Sequence, residues 1–225
     1  MLRIVESPRF GLPGLVEASA WLDESDALPP GKLPESLAKA VLKRKREYLA
    51  GRHCAALALG RLDPSLPTEL PSAENRAPVW PAGVAGSLTH SNRFVAACVA
   101  RSVQYRGVGR DTERLLDERT AKEISSAVCT GDELERLGRE TGEDSLRLLS
   151  LLFSAKESLF KCLHPLHGRF FEFSAAQLAS VNLKKGEYRI ELVKTVADEF
   201  PTGYSLTGKF LFQDSLVHTL CVLPA

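Results

Sequence analysis

The chain has 225 residues, 44% hydrophobic and 25% charged, enough to bury a sizeable core as one domain or two small ones. Its 29 basic residues nearly balance its 28 acidic ones, which argues against a general nucleic-acid binder and leaves room only for a local basic patch. No apolar run is long enough to span a bilayer, and the opening MLRIVESPRFGLPG lacks a basic segment leading into an apolar one, so no membrane partner is expected. The cysteines at 54, 98, 129, 162 and 221 are odd in number and widely spaced, as small core residues of a reducing compartment would be. A cytoplasmic protein is the expectation.

In chain order, DALPPGKLPES (26–36) is a proline-rich connection ending in a helix start. The spacing of Leu37, Val41 or Leu42, Tyr48 or Leu49, and Leu57 predicts an amphipathic helix over 33–60, closed by Gly60. Four prolines make 63–78 a loop. GVAGSLTHS, RFVAACVAR and QYRGVGRDTE follow, each rich in β-formers and separated by short polar breaks, as in a meander or hairpins. Helical patterns occupy 117–128, 132–138 and 144–163, and the tail returns to four strand-like runs, AQLASVNL, YRIELV, YSLTGKFLF and SLVHTLCVL. This order predicts an α+β protein of two lobes, each a sheet covered by a helix, with a boundary near 102–106.

Four stretches could carry chemistry. In VGRDTE (108–113), strand alternation puts Asp111 and Glu113 on one face and Arg110 and Thr112 on the other. Paired carboxylates are either a solvated strand end or a site for a hard cation, which also needs a further acid and an anion to share the metal. In FSAKESLFK (153–161), Glu157 and Lys161 are four apart and share a helix face, with Lys156 about 100° away. Such a pair could be a surface ion pair, or a third metal ligand beside a phosphate contact. KRKREYLAGRH (43–53) is a basic run in which Lys45, Arg52 and Lys39 or Arg46 could form a phosphate stripe, or simply a solvated face. In GSLTHS (86–91), Thr89 and His90 point to opposite faces. Cys162, His164 and His167 lack a usual zinc spacing and a fourth ligand.

Taken together, RKREYLAGRHCA, RAPVWPAGVAGSLTHS, VGRDTE and FSAKESLFK, spanning 44–161, resemble the 4′-phosphopantetheinyl transferases of the larger, two-lobed class, and are most like the enterobactin-synthase type. The resemblance implies an α+β fold of two similar lobes related by a pseudo-twofold, 1–104 and 105–225, each a small sheet packed against a long helix, with the active-site cleft between them. It implies Mg²⁺-dependent transfer (with Mn²⁺ as the other candidate) of phosphopantetheine from coenzyme A to a serine of an acyl or peptidyl carrier protein, releasing adenosine 3′,5′-bisphosphate. By motif position Asp111, Glu113 and Glu157 would hold the metal, and Lys161 would contact the reacting phosphate. Arg46, Arg52, Arg76, Thr89, His90 and Lys156 would bind the cofactor.

Glu157 is the candidate base for the serine hydroxyl, and Lys161 the stabiliser of the leaving bisphosphate. Siderophore and fatty-acid synthesis are the implied pathways, and a monomer with no nucleic-acid partner is expected. The family's acidic motif carries aliphatic residues where this chain has Arg110 and Thr112. Arg110 is expected to run its charge out to the lobe surface and leave activity intact. The alternative is a coenzyme A-binding homologue whose catalysis the altered GRDTE motif impairs.

Overall fold

The computed structural model describes residues 2–23, 27–73 and 77–225. The expected Arg76 lies outside them. The described residues form an α+β protein that divides into two compact units, one running through Val108 and including Pro224–Ala225, the other Gly109–Leu223. No helix among them is long and apolar enough to cross a membrane.

The first unit holds β1 (Leu2–Val5), β2 (Val16–Leu22), α1 (Leu42–Leu62), β3 (Val84–Ser91) and β4 (Phe94–Arg101). Its antiparallel sheet has the order β1-β2-β4-β3. Helix α1 lies close on this sheet because its inward face is small: Ala50, Cys54, Ala55 and Ala58 meet Ala18, Ala20, Val95 and Ala97, all fully buried. The helix begins later than its hydrophobic spacing suggests. Pro34 launches only a single 3₁₀ turn, Glu35–Leu37, and Val41 is extended (φ −61°, ψ 152°), so α1 starts at Leu42. It also runs through Gly60, ending where Asp63 turns extended.

β3 and β4 form the expected hairpin. Asn92 (φ 46°) and Arg93 (φ 69°) both take the left-handed conformation, whose twist suits a two-residue connection between strands. The third run does not continue a meander. β5 (Tyr105–Arg114) joins the other sheet as an edge strand beside β9, in the order β5-β9-β8-β7-β6.

That second sheet is completed by β6 (Ala176–Asn182), β7 (Glu187–Leu192), β8 (Ser205–Gln213) and β9 (Leu216–Pro224). Before them come α2 (Glu118–Val128), α3 (Gly131–Thr141) and α4 (Ser145–His167). Each helix starts on a side-chain cap, Asp117, Thr130 and Asp144 accepting from backbone N–H groups of the first turn. Gly142 and Gly168, both at φ 69°, close α3 and α4. Helix α4 outlasts its predicted end because Pro165 stands in the last turn, where a missing N–H costs a single helical bond. Its Leu148, Leu151, Leu152, Leu159 and Leu163 are buried with Leu178, Ile190, Leu192 and Val217 of the sheet. Tyr188 reaches across β8 at Gly208, where a Cβ would stand 2.1 Å from its ring, and donates to Leu220 O at 3.3 Å.

Candidate active site

In the second unit the site is built where β5 crosses α4. Gly109, Asp111 and Glu113 alternate onto one face of β5. Gly109 lets the strand touch the helix backbone: a Cβ there would lie 1.8 Å from Ser158 O and 2.6 Å from Cys162 N. This contact places Asp111, which is 1% exposed, against the helix stripe Ser154, Glu157, Ser158 and Lys161. Asp111 Oδ2 accepts from Ser154 Oγ at 2.8 Å and Oδ1 from Lys161 Nζ at 2.5 Å. Ser154 is in turn held by Thr219 of β9: the two hydroxyls are 2.8 Å apart, Thr219 Oγ1 donates to Ser154 O at 2.9 Å, and Ser158 Oγ lies 2.6 Å from Thr219 Oγ1.

Electrostatics follow from this crowding. Burial alone would lower the pKa of Lys161, but Asp111 in contact, with Glu157 and Glu113 nearby, overrides it and holds the ammonium above the ordinary lysine value. Burial raises the Glu157 carboxyl above its usual range, Lys161 opposing and Asp111 adding to the shift. Three carboxylates thus surround one ammonium and leave net negative charge on hard oxygen donors, the chemistry that suits a divalent cation. In the present side-chain arrangement no three His, Cys, Asp or Glu residues among those described converge to hold an ion. Asp111 meets Lys161 instead.

Lys156 does not join this group. It projects from the other side of α4, 2% exposed, and donates to Val128 O at 2.8 Å and to Glu133 Oε2 at 2.9 Å. Glu133 Oε1 accepts from Leu178 N at 2.6 Å, so a buried ion pair ties α3, α4 and β6 together. Lys156 and Glu157 also border a hollow of about 510 Å³ whose walls include Phe160, Phe170, Phe171 and Phe173. Cys162 is buried in the core, while His164 stacks on Phe160 at 4.7 Å and His167 Nδ1 accepts from Arg169 N.

Arg110 does not reach the surface. It is 0% exposed, on the strand face opposite Asp111, with Thr112 and His218. Thr112 Oγ1 and His218 Nδ1 are 2.9 Å apart. Burial, helped by the Arg110 charge, lowers the pKa of His218 from 6.5 to about 3. The unfolded chain therefore binds a proton that the folded chain refuses. His218 contributes no acid penalty above pH 6.5, and stability falls as pH drops from there toward about 3, by up to about 1.4 kcal/mol per unit. Urea midpoints at pH 7 and 4.5 should differ less in His218→Gln than in the parent, and equal slopes would show that this histidine does not set the acid limit.

In the first unit, Arg44, Tyr48 and Arg52 repeat every four residues and share one face of α1. Arg44 Nη1 lies 2.9 Å from His90 Nε2 at the end of β3, and His90 Nδ1 is 3.6 Å from Glu47 Oε2. Arg52 Nη2 donates to Ser72 Oγ at 2.8 Å, and its guanidinium lies 4.5 Å from the Tyr48 ring centre. Burial lowers the Arg52 pKa, with Tyr48 opposing and Arg44 reinforcing. Arg44 and Arg52 place two guanidinium groups beside a groove of about 1000 Å³ that includes Tyr48, Arg52, Ser72 and Trp80, chemistry that could take an anion. Thr89 is buried one residue before His90. Arg46 turns elsewhere and donates to Asp23 O at 2.8 Å and Asp23 Oδ1 at 3.1 Å. Arg44 was not singled out in the sequence, although its four-residue spacing from Tyr48 and Arg52 places it on the same helix face.

The comparisons with known proteins cover both units. Residues 33–100 match the 4′-phosphopantetheinyl transferase N-terminal domain, and residues 107–221 match the 4′-phosphopantetheinyl transferase superfamily. The chain is similar to the 4′-phosphopantetheinyl transferase Npt of Nocardia iowensis, 34% identical over 220 residues, 92% of this chain and 96% of the relative. It is 34% identical over 172 residues to the 4′-phosphopantetheinyl transferase PptT of Mycobacterium tuberculosis, 74% of each. It is 39% identical over 125 residues to enterobactin synthase component D of Escherichia coli, 56% of this chain and 57% of the relative. With both halves matched, and one relative aligned almost end to end, the chain belongs to the 4′-phosphopantetheinyl transferase superfamily.

Proposed function

We propose that this transferase takes coenzyme A as donor, modifies a serine of acyl and peptidyl carrier proteins with the help of Mg²⁺, and releases adenosine 3′,5′-bisphosphate. The observation that carries this reading is Asp111 seated between Ser154 and Lys161, with Glu157 on the same helix stripe. The nucleotide phosphates of the donor would meet Arg44, Arg52 and His90, with Arg76 and Thr89 as further contacts. The uncharged pantetheine arm suits the aromatic hollow beside Glu157 and Lys156.

Asp111, Glu113 and Glu157 would hold the metal, which when bound neutralises charge on the phosphoryl oxygens. The serine oxygen attacks the phosphorus nearest the pantetheine, the bond to the bridging oxygen breaks, and the bisphosphate leaves with that electron pair. Glu157, through a carboxylate oxygen that the metal leaves open, takes the serine proton. Lys161 offers its ammonium to the leaving oxygens. The likeness to enterobactin synthase component D supports a carrier of siderophore synthesis, with a fatty-acid carrier as the second to try.

The test is the intact mass of apo carrier protein after incubation with enzyme, coenzyme A and Mg²⁺, beside an EDTA control. One added phosphopantetheine is expected, lost with EDTA, and Glu157→Gln should slow it by about 10²–10⁴-fold. Coenzyme A binding without transfer to any of several carriers would favour a homologue with an impaired site.

A further inference from the structure

The same oxygen that would have to receive a metal already has a cation on it. Lys161 Nζ is 2.5 Å from Asp111 Oδ1, while Ser154 holds Oδ2. Asp111 is 2% exposed along its side chain and is held by Ser154, whereas the Lys161 side chain is 28% exposed on a flexible four-carbon stem. An ammonium and a divalent ion on one carboxylate oxygen would stand only a few ångström apart, with little water to screen them. The repulsion favours the departure of one of them, and of the two side chains that meet at that oxygen the lysine is the one with a path to solvent.

We propose that Lys161 is the built-in counter-ion of Asp111, that it and the divalent cation exclude each other there, and that metal entry hands the ammonium to the donor's phosphate. This rests on the reading of Asp111 as a metal ligand. Lys161 then has alternating partners. Before metal entry it screens a cluster of carboxylates that would otherwise repel. Afterwards it needs a new anion, and the pyrophosphate of the donor supplies one. Metal and donor therefore bind with positive coupling, each raising the affinity of the other by the same factor. Alone, the metal binds weakly because it must displace the lysine without offering it a partner.

The experiment is Mn²⁺ binding, read from the electron paramagnetic resonance of the free ion, for the full chain and for Lys161→Met, Lys161→Arg and Asp111→Asn. Each is measured with and without coenzyme A. Lys161→Met is expected to bind Mn²⁺ at least about tenfold tighter than the parent without coenzyme A, since removing a contacting charge of the same sign is worth one or more units in log affinity. Lys161→Arg should stay near the parent, and coenzyme A should tighten Mn²⁺ binding in the parent far more than in Lys161→Met. Equal or weaker binding by Lys161→Met, with Asp111→Asn abolishing it, would overturn the proposal and leave the metal assignment standing. Binding unaffected by Asp111→Asn, or no binding by any of them, would sink both. Should Lys161→Met fail to fold, lysine ¹⁵Nζ resonances of the parent give the answer: the Lys161 signal should shift on Mg²⁺ addition, and an unmoved signal overturns the exchange.

Discussion

Lys156→Met is expected to remove about 3–5 kcal/mol of stability, read from the urea unfolding midpoint. The lysine and Glu133 are 2% and 4% exposed along their side chains, so neither charge is solvated by water. Their cost of desolvation is offset because both carboxylate oxygens and two of the three ammonium protons have partners: Nζ donates to Val128 O and Glu133 Oε2, and Glu133 Oε1 accepts from Leu178 N. Methionine keeps the stem's volume and leaves a buried carboxylate facing apolar neighbours. Adding Glu133→Gln should recover roughly half of the loss, since the neutral amide can still accept from Leu178 N while no charge remains unpaired. A loss below about 1 kcal/mol, or no recovery in the double variant, would show that the pair is not what fastens α3 to α4.

Gly109→Ala should cost about 3 kcal/mol or more and abolish transfer, because the added methyl meets backbone and not a movable side chain. Its Cβ would stand 1.8 Å from Ser158 O and 2.6 Å from Cys162 N, so β5 and α4 must part. Parting them breaks the bonds that Ser154 and Lys161 make to Asp111, two residues along the strand. Gly131→Ala is the control: nothing lies within 4 Å of its added carbon, and it should be neutral or slightly stabilising. If both alanine variants unfold alike, the close approach at Gly109 is not a determinant of the site.

Strand alternation through Asp111 and Glu113 and the four-residue spacing of Glu157 and Lys161 made half of the acidic site readable, because those relations are local. What Asp111 would meet was not. Ser154 and Thr219 are ordinary core-like residues until β5, α4 and β9 come together. The basic run KRKR offered cations on every side of a helix, and only the docking of α1 decides that Arg46 goes to Asp23 while Arg44 goes to His90. The resemblance assigned Lys156 to the cofactor, while the structure gives its ammonium to Glu133, a partner on another helix that no short motif announces. Arg110 went against expectation because polar neighbours on its strand face, Thr112 and the distant His218, line the place where an aliphatic residue was anticipated. Edge placement of β5 was hidden for a related reason: its partner strand β9 is the last in the chain.

The hydroxyls behind Asp111 do not all have a proton to give. Ser154, Ser158 and Thr219 own three between them, yet they sit at four contacts: Ser154 with Asp111, Ser154 with Thr219, Ser158 with Thr219, and Thr219 with the Ser154 carbonyl. One contact must go without, and because Asp111 and the Ser154 carbonyl can only accept, the protons of Ser154 and Thr219 are committed to them and the Ser154–Thr219 contact is the one left without. Dipoles committed in this way are pre-oriented toward the carboxylate and do not have to turn to meet its charge. The carboxylate shut away from water is thus backed by dipoles of fixed direction, and any change of charge around Asp111 is met by a polar wall already set to accommodate a negative oxygen.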